Sequence, residues 1–117
     1  MSRIVFVVDD EKVISDTLAA ILTIHGFEAI PFTDPLEALK NAQAKRPDIL
    51  ITDVVMPGLN GIELAIRVKL ITALCKVVLF SGQSSTFELL ERASREGHEF
   101  TILGKPVHPK DLLAAIG

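Results

Sequence analysis

The alternation of short apolar runs with longer segments of helical periodicity is the feature that most restricts how this chain can fold. In the longer segments, apolar residues recur at the three- and four-residue spacing of one helix face. The short runs are predicted to be strands, and they cover residues 3–8, 28–32, 48–52, 76–80 and 100–104. Strands that alternate with helices through short connections form a parallel sheet with helices on both faces. We therefore predict an α/β fold with a doubly wound, five-stranded parallel sheet in a three-layer sandwich.

The residues within each run predict its place in the sheet. The first, third and fourth runs are apolar at nearly every position, which is typical of strands covered by helices on both faces. The second run contains Pro31, which has no amide proton to donate to a neighbouring strand. We therefore expect residues 28–32 to form an edge strand.

Residues that favour helix starts and stops lie between the predicted strands. Those that favour a start are Pro35, Asn60, Ser84 or Ser85, and Pro109. Those that favour a stop are Gly26, Pro47 and Gly97. The predicted third helix, 61–74, leaves mainly Glu63, Arg67 and Lys69 as its polar face. This pattern is typical either of a well-covered helix with a few exposed aliphatic residues or of a helix that binds a partner or dimerises.

Length, composition and charge limit the class of protein. The 117 residues suit one compact domain, predicted over 1–117, and the hydrophobic fraction of 49% excludes a disordered tail. No apolar stretch reaches the roughly 18 residues of a membrane span, and no secretory signal pattern is present, so we expect a soluble cytoplasmic protein. A net charge of −3 without a large Lys/Arg cluster disfavours direct nucleic-acid binding. The single cysteine, Cys75, is predicted to be a buried hydrophobic residue.

Polar side chains that can bind a ligand or react follow four of the five predicted strands. Asp9 and Asp10 follow the first strand, and Asp53 follows the third. Ser81 follows the fourth strand, and Lys105 follows the fifth. Ligands of open α/β sheets bind beyond the carboxyl ends of the strands. We therefore expect these five side chains to share one crevice.

Three carboxylates in one partly dry crevice repel one another, and a hard divalent cation with oxygen ligands relieves that repulsion. One or two carboxylates with water molecules are the usual ligands of Mg²⁺. Lys105 can approach an anion as a flexible point charge, and the Ser81 hydroxyl can donate a hydrogen bond. A carboxylate can itself accept a phosphoryl group. The combination predicts a site for Mg²⁺ and a phosphoryl group.

Four segments in this order, "VVDDEK", "DILITDVVMPGLNGIEL", "LFSG" and "LGKP", resemble the receiver domain of two-component response regulators, and the resemblance covers essentially the whole chain. It implies a flavodoxin-like (βα)5 fold with strand order 2-1-3-4-5. It also implies a stand-alone phosphorelay signalling protein rather than an enzyme, since a receiver catalyses only its own phosphorylation and dephosphorylation.

Matched position by position, the resemblance makes Asp53 the phosphoacceptor, which takes its phosphoryl group from a phosphohistidine. The donor would be a sensor histidine kinase or a histidine phosphotransfer protein. Asp10, Asp53 and the backbone carbonyl of Val55 would bind Mg²⁺ directly, and Asp9 would bind it directly or through water. Lys105 would pair with the phosphoryl group.

The resemblance further implies that Ser81 donates a hydrogen bond to the phosphoryl group and that the Lys105–Pro106 bond is cis. Glu11, by contrast, is interpreted as an acid of the first helical turn, where the helix dipole favours it. The output target would be a protein, and the chain is expected to be a monomer or a weak homodimer.

The sequence departs from the receiver pattern at Ile102, where receivers commonly carry Tyr or Phe. Phe100 lies at the wrong parity along the strand to replace that aromatic residue. The aromatic part of the signalling switch therefore cannot operate as it does in other receivers. The last predicted helix is short, as in a weakened output face or in a chain cut from a longer protein.

Two other functions compete with the phosphorylation hypothesis. The first is a phosphorylation-independent interaction module with a receiver fold, in which Ile102 and the apolar third helix would bind a partner. The second is a small-molecule phosphatase, which would carry an acid two residues after the nucleophile, whereas this chain has Val55 there. Asp53, Asp10 and Ser81 could also merely end strands or cap helices.

Overall fold

The computed structural model describes residues 2–82, 91, 94–95, 97 and 100–117. Within these residues, five parallel strands form one sheet with the order β2-β1-β3-β4-β5, as predicted. The strands are β1 (Ile4–Val8), β2 (Glu28–Phe32), β3 (Ile49–Asp53), β4 (Lys76–Ser81) and β5 (Thr101–Gly104). The helices are α1 (Lys12–Ile24), α2 (Pro35–Lys45), α3 (Gly61–Ile71) and α4 (Pro109–Ile116).

The register of the sheet brings the carboxyl ends of its strands to one edge. Val8 of β1 pairs with Thr52 of β3, so Asp9 and Asp53 are the next residues on adjacent strands. Asp53 in turn pairs with Phe80, the residue before Ser81. The strand β2 lies at the opposite side of the sheet from β5, and Pro31 within it is exposed, which confirms the predicted edge strand.

Two apolar clusters hold the helices against the two faces of the sheet. Because side chains alternate along a strand, successive residues of β1 enter different clusters. One cluster joins Phe6 and Leu50 to buried residues of α2 and α3, including Ala38 and Leu64. The other cluster joins strand residues to α1 and α4; its fully buried members include Val5, Val7, Ile51, Phe80, Leu22 and Leu112. These packed layers fix the strand ends on which the polar side chains lie.

Several helix ends carry the residue types that usually cap helices. Asp34 caps α2 by accepting a hydrogen bond from the backbone N–H of Leu36 at 3.0 Å, and Asn60 caps α3 by accepting one from Glu63 at 2.9 Å. After α1, Gly26 has a φ of 92°, which suits glycine. After α2, however, Arg46 adopts a left-handed conformation with a φ of 45°.

The third helix is shorter than predicted, because it ends at Ile71 rather than at residue 74. Thr72 is extended, with a φ of −136° and a ψ of 97°, and its carbonyl accepts a hydrogen bond from Cys75 in a turn. Its β-branched side chain disfavours the helix slightly. Leu70 and Leu74 are 82% and 96% exposed, so the apolar residues of this region include exposed aliphatic side chains.

The helix predicted between β4 and β5 falls mainly outside the described residues. Ser84 and Ser85, one or the other of which is predicted to begin it, also lie outside them. Glu91, Ser94 and Arg95, which the structure does describe, are helical.

Cys75 is buried, as predicted, and burial raises the pKa of its thiol to about 11. In the described ranges, no helix has both the length and the apolar character needed to cross a membrane.

Replacement of Arg46 by glycine is expected to stabilise the fold, because a left-handed conformation is costly for a residue with a Cβ atom. We expect Arg46→Gly to raise the free energy of unfolding by about 0.5–1 kcal/mol. In contrast, Ala44→Gly, two residues earlier inside α2, should lower it by about 1 kcal/mol. Urea denaturation measures both changes, and a destabilised Arg46→Gly variant would contradict the expectation.

Candidate functional site

A polar cavity of about 290 Å³ lies at the carboxyl edge of the sheet. Its lining residues come from the ends of β1, β3, β4 and β5, and they are Asp10, Glu11, Asp53, Val55, Ser81, Gly82 and Lys105. Asp9 lies behind this lining and is fully buried. The structure therefore brings all of the sequence-predicted site residues to one place.

The turn after β1 fixes the Asp9 carboxylate below the cavity. The Asp9 backbone N–H donates to the Phe32 carbonyl at 3.0 Å, and Asp9 Oδ1 accepts a hydrogen bond from the Glu11 backbone N–H at 2.9 Å. Asp9 Oδ2 is buried and has no hydrogen-bond partner in the described part of the chain. Burial raises the pKa of the Asp9 carboxyl above its ordinary value, although the Glu11 N–H and the charge of Lys105 oppose that shift.

Lys105 is the cation that faces these acids. Its Nζ lies 3.0 Å from Asp53 Oδ2 and 3.6 Å from Asp9 Oδ2. Burial by itself would lower the pKa of Lys105, but the hydrogen bond and the charge of Asp53, followed by the charge of Asp9, raise it overall. The backbone N–H of Lys105 donates to the Ser81 carbonyl at 3.1 Å, and the Lys105–Pro106 peptide bond is cis, as the sequence resemblance implied.

The three aspartates fit a divalent cation. Asp9, Asp10 and Asp53 each offer one carboxylate oxygen, and these oxygens lie within 4.8 Å of one another. Lys105 pairs with two of these acids, Asp9 and Asp53, and Asp9 Oδ2, which has no hydrogen bond in the described residues, is an oxygen already removed from water. An all-oxygen set of this kind suits Mg²⁺. The cluster is therefore consistent with the Mg²⁺ site predicted from the sequence.

Close packing at the start of α3 fixes the end of β3. The Gly61 backbone N–H donates to the Val54 carbonyl at 2.8 Å, and the Val54 N–H donates to the Phe80 carbonyl at 3.1 Å. A Cβ atom on Gly61 would overlap the carbonyl oxygen of Asp53. Glycine at this position therefore allows the helix to approach the backbone of Asp53 directly.

The remaining predicted residues lie around this centre. Ser81 is the last residue of β4 and lines the cavity, and Ile102 on β5 is 45% exposed. A second cavity of about 290 Å³, lined mostly by apolar residues of α1 and of the segment after β5, shares Lys105 with the polar one. The Lys105 side chain thus separates an acidic space from an apolar space.

The family model of the response regulator receiver domain matches residues 5–117 of this chain. The chain belongs to the response regulator receiver domain family. It is 27% identical over 116 residues to the alkaline phosphatase synthesis transcriptional regulatory protein PhoP of Bacillus subtilis, covering 99% of this chain and 48% of that relative. A putative two-component response regulator of Arabidopsis thaliana, ARR21, is 31% identical over 110 residues, which are 92% of this chain and 17% of that protein.

Solved structures agree with this assignment. The receiver domain protein of Clostridium thermocellum is 31% identical, with a TM-score of 0.86, and the match covers 97% of this chain and 90% of that one. The CheY-like receiver of Methanospirillum hungatei is 25% identical, with a TM-score of 0.89, over 99% and 91% of the two chains. The receiver chain spans about half the length of PhoP and of several similar curated relatives.

Sequence reasoning missed part of the site. Glu11 lies at the N-cap of α1 rather than in its first turn, makes no side-chain capping hydrogen bond, and lines the cavity. The proximity of Glu11 to two aspartates in sequence was the available signal. The contact between Gly61 and the Asp53 carbonyl joins a helix start to a strand end, and sequence spacing alone does not reveal it.

Removal of the Asp9 charge is expected to stabilise the metal-free receiver at neutral pH. Because the pKa of Asp9 is raised, its ionised form costs the folded state free energy above that pKa, and protonation at lower pH removes the cost. We expect Asp9→Asn to raise the melting temperature by about 4 °C at pH 7 without Mg²⁺, and the gain should shrink towards pH 4. Thermal unfolding at both pH values tests this, and a gain that grows towards pH 4 would contradict it.

Enlargement of Gly61 is expected to disturb the end of β3. Gly61→Ala places a methyl group on the Asp53 carbonyl, so we expect a loss of at least about 2 kcal/mol in unfolding free energy. Gly104→Ala is the matched control, because nothing lies within 4 Å of its added Cβ atom. Chemical denaturation of both variants provides the comparison, and equal stabilities would refute the steric explanation.

Proposed function

We propose that this receiver accepts a phosphoryl group on Asp53 in a Mg²⁺-dependent reaction and then signals to a protein partner. The donor is the phosphohistidine of a sensor histidine kinase or of a histidine phosphotransfer protein. One observation carries the proposal: Asp53 Oδ2 lies 3.0 Å from Lys105 Nζ in a cavity beside two further carboxylates. Membership of the receiver family supports phosphorylation-based signalling.

The transfer exchanges one phosphorus bond for another. A carboxylate oxygen of Asp53 forms a bond to phosphorus, and the bond from phosphorus to the imidazole nitrogen breaks. The leaving nitrogen keeps the electron pair of that bond, and the other ring nitrogen carries the proton, so the histidine leaves as neutral imidazole. The phosphoryl oxygens then replace the Asp53 carboxylate as the partners of Lys105. The ammonium group of Lys105 neutralises part of the negative charge of these oxygens. The Ser81 hydroxyl donates a hydrogen bond to the same group.

The chain's own oxygens hold the cation in this proposal. Asp10, Asp53 and the Val55 backbone carbonyl bind it directly, and Asp9 binds it directly or through water. When bound, Mg²⁺ neutralises charge on the transferring phosphoryl oxygens. Support comes from the three clustered carboxylate oxygens and from the buried Asp9 oxygen that lacks a hydrogen bond in the described structure.

Phosphorylation alters the electrostatics of the sheet edge. The phosphoryl group carries roughly −1.5 to −2 charges and replaces the single negative charge of the Asp53 carboxylate, so the cavity becomes more negative around Lys105 and Asp9. The resulting rearrangement is the signal to the protein partner. Because Ile102 stands where an aromatic residue is usual, we propose that this signal reaches the surface without an aromatic side-chain rotation at this position.

A second function, a phosphorylation-independent interaction module, has one observation in its favour. Leu70, Leu74 and Ile102 are large apolar residues with substantial exposure, as in a surface that binds a partner irrespective of phosphate. The acidic cluster with its lysine is unnecessary for such a module. Phosphorylation of the wild-type chain therefore distinguishes the two functions.

We expect acetyl phosphate with Mg²⁺ to add one phosphoryl group to the wild type, as measured by intact mass. Asp53→Asn should show no adduct, because it removes the proposed nucleophile. Asp16→Asn should behave as the wild type, since Asp16 is an exposed acid of α1 paired with Lys12. Removal of Mg²⁺ with a chelator should abolish the adduct on the wild type.

The same experiment can reject the proposal. A wild-type chain that forms no Mg²⁺-dependent adduct, with either acetyl phosphate or beryllofluoride as the probe, would leave the interaction module as the better function. Amide NMR shifts at Ile102 on addition of beryllofluoride would test whether the signal reaches β5.

A further inference from the structure

Thr52 places a hydroxyl group inside the core, directly before Asp53. It is one of four buried polar or charged residues in the described part of the chain, with Asp9, Ser15 and Asp53. Its side chain is 0% exposed, and residues 49–51 before it are apolar and buried. A buried hydroxyl is costly unless it makes a hydrogen bond, and valine would fill the same space in a strand without that cost. The buried Thr52 hydroxyl is therefore expected to make a hydrogen bond.

The partner of this hydroxyl is the backbone of the phosphoacceptor. Thr52 Oγ1 donates to the carbonyl oxygen of Asp53 at 2.9 Å, and it lies 3.9 Å from the sulfur of Met56. These two contacts lie on either side of residues 54–55 in the chain. The hydroxyl thus touches both ends of the turn that follows β3.

The same turn is held from two other directions. The Val54 N–H donates to Phe80 of β4, and the Val54 carbonyl accepts from Gly61 of α3. Asp53 O itself faces the space that a side chain at position 61 would need. The peptide between Asp53 and Val54 is therefore fixed by β4, by α3 and by the Thr52 side chain.

We propose that Thr52 is a positioning residue of the metal and phosphoryl site. Its hydroxyl fixes the orientation of the Asp53 carbonyl and of the turn from 53 to 56, and so sets how the Asp53 carboxylate and the Val55 carbonyl face the cavity. This inference rests on the proposed function, because both groups are ligands only if the receiver binds Mg²⁺. Thr52 itself touches neither the cation nor the phosphoryl group.

The test compares Thr52→Val, which keeps the shape and removes the hydroxyl, with Thr52→Ser, which keeps the hydroxyl. Thr23→Val is the control, because Thr23 Oγ1 also donates to a backbone carbonyl, that of Ala19 at 2.8 Å, from an exposed residue near the carboxyl end of α1. For each protein we would measure the Mg²⁺ dissociation constant by amide NMR titration, the rate of adduct formation with acetyl phosphate, and the melting temperature without Mg²⁺.

We expect Thr52→Val to raise the Mg²⁺ dissociation constant about tenfold, the size typical for residues that orient metal ligands. The melting temperature without Mg²⁺ should change by less than about 4 °C. Thr52→Ser should restore Mg²⁺ binding to within about twofold of the wild type, and Thr23→Val should leave it unchanged.

Several outcomes would overturn this assignment. One is wild-type Mg²⁺ affinity in Thr52→Val, and another is a Thr52→Ser variant that binds as weakly as Thr52→Val. A Thr52→Val variant that unfolds, or that loses stability along with Mg²⁺ binding, would show that the hydroxyl supports the fold as a whole. Failure of the proposed function is a separate result, since the wild type would then bind no Mg²⁺ and form no adduct.

Discussion

Three carboxylates and one lysine share the carboxyl edge of a parallel sheet, and the rest of the structure serves to hold these like charges together. Asp9, Asp10 and Asp53 come from neighbouring strand ends and repel one another, while Lys105 compensates only part of their charge. Such a cluster relaxes apart unless the backbone beneath it is rigid. The central strands, covered on both faces by packed side chains, supply that rigidity. Packing of the hydrophobic core thus holds the carboxylates close together despite their electrostatic repulsion.

In the turn after β3, individual contacts hold the backbone of Asp53 in place. Gly61 lets α3 pack directly on the Asp53 carbonyl, and the Thr52 hydroxyl donates to the same oxygen. Neither residue lines the cavity. A reactive group held in one geometry from several directions needs little reorganisation when charge develops on it, which is the basis of electrostatic preorganisation. Under the proposed function, the residues beneath the site would therefore matter to its chemistry as well as to its stability.

The sequence predicted the sheet and the members of the cluster, because both depend on local patterns. Five apolar runs gave five strands in the predicted order, and strand ends in a parallel sheet necessarily meet at one edge. Other features depend on backbone geometry and on contacts that the pattern of apolar and polar residues does not contain. The end of α3 at Ile71 follows from an extended Thr72 in the middle of an apolar pattern, and the position of Glu11 at the cavity follows from the turn that Asp9 forms. The contact of Gly61 with Asp53 could not be read from either residue alone.

The buried Asp9 oxygen has a consequence for how long the receiver survives. An oxygen that lacks a hydrogen bond within the described structure is a cost that disappears with unfolding, so Asp9 Oδ2 lowers the stability of the folded chain in the absence of a cation. A ligand that binds only the folded state shifts the folding equilibrium by mass action. Divalent cation concentration would then set the fraction of chains open to proteases, and the lifetime of the receiver would depend on the ionic composition of its surroundings as well as on its sequence.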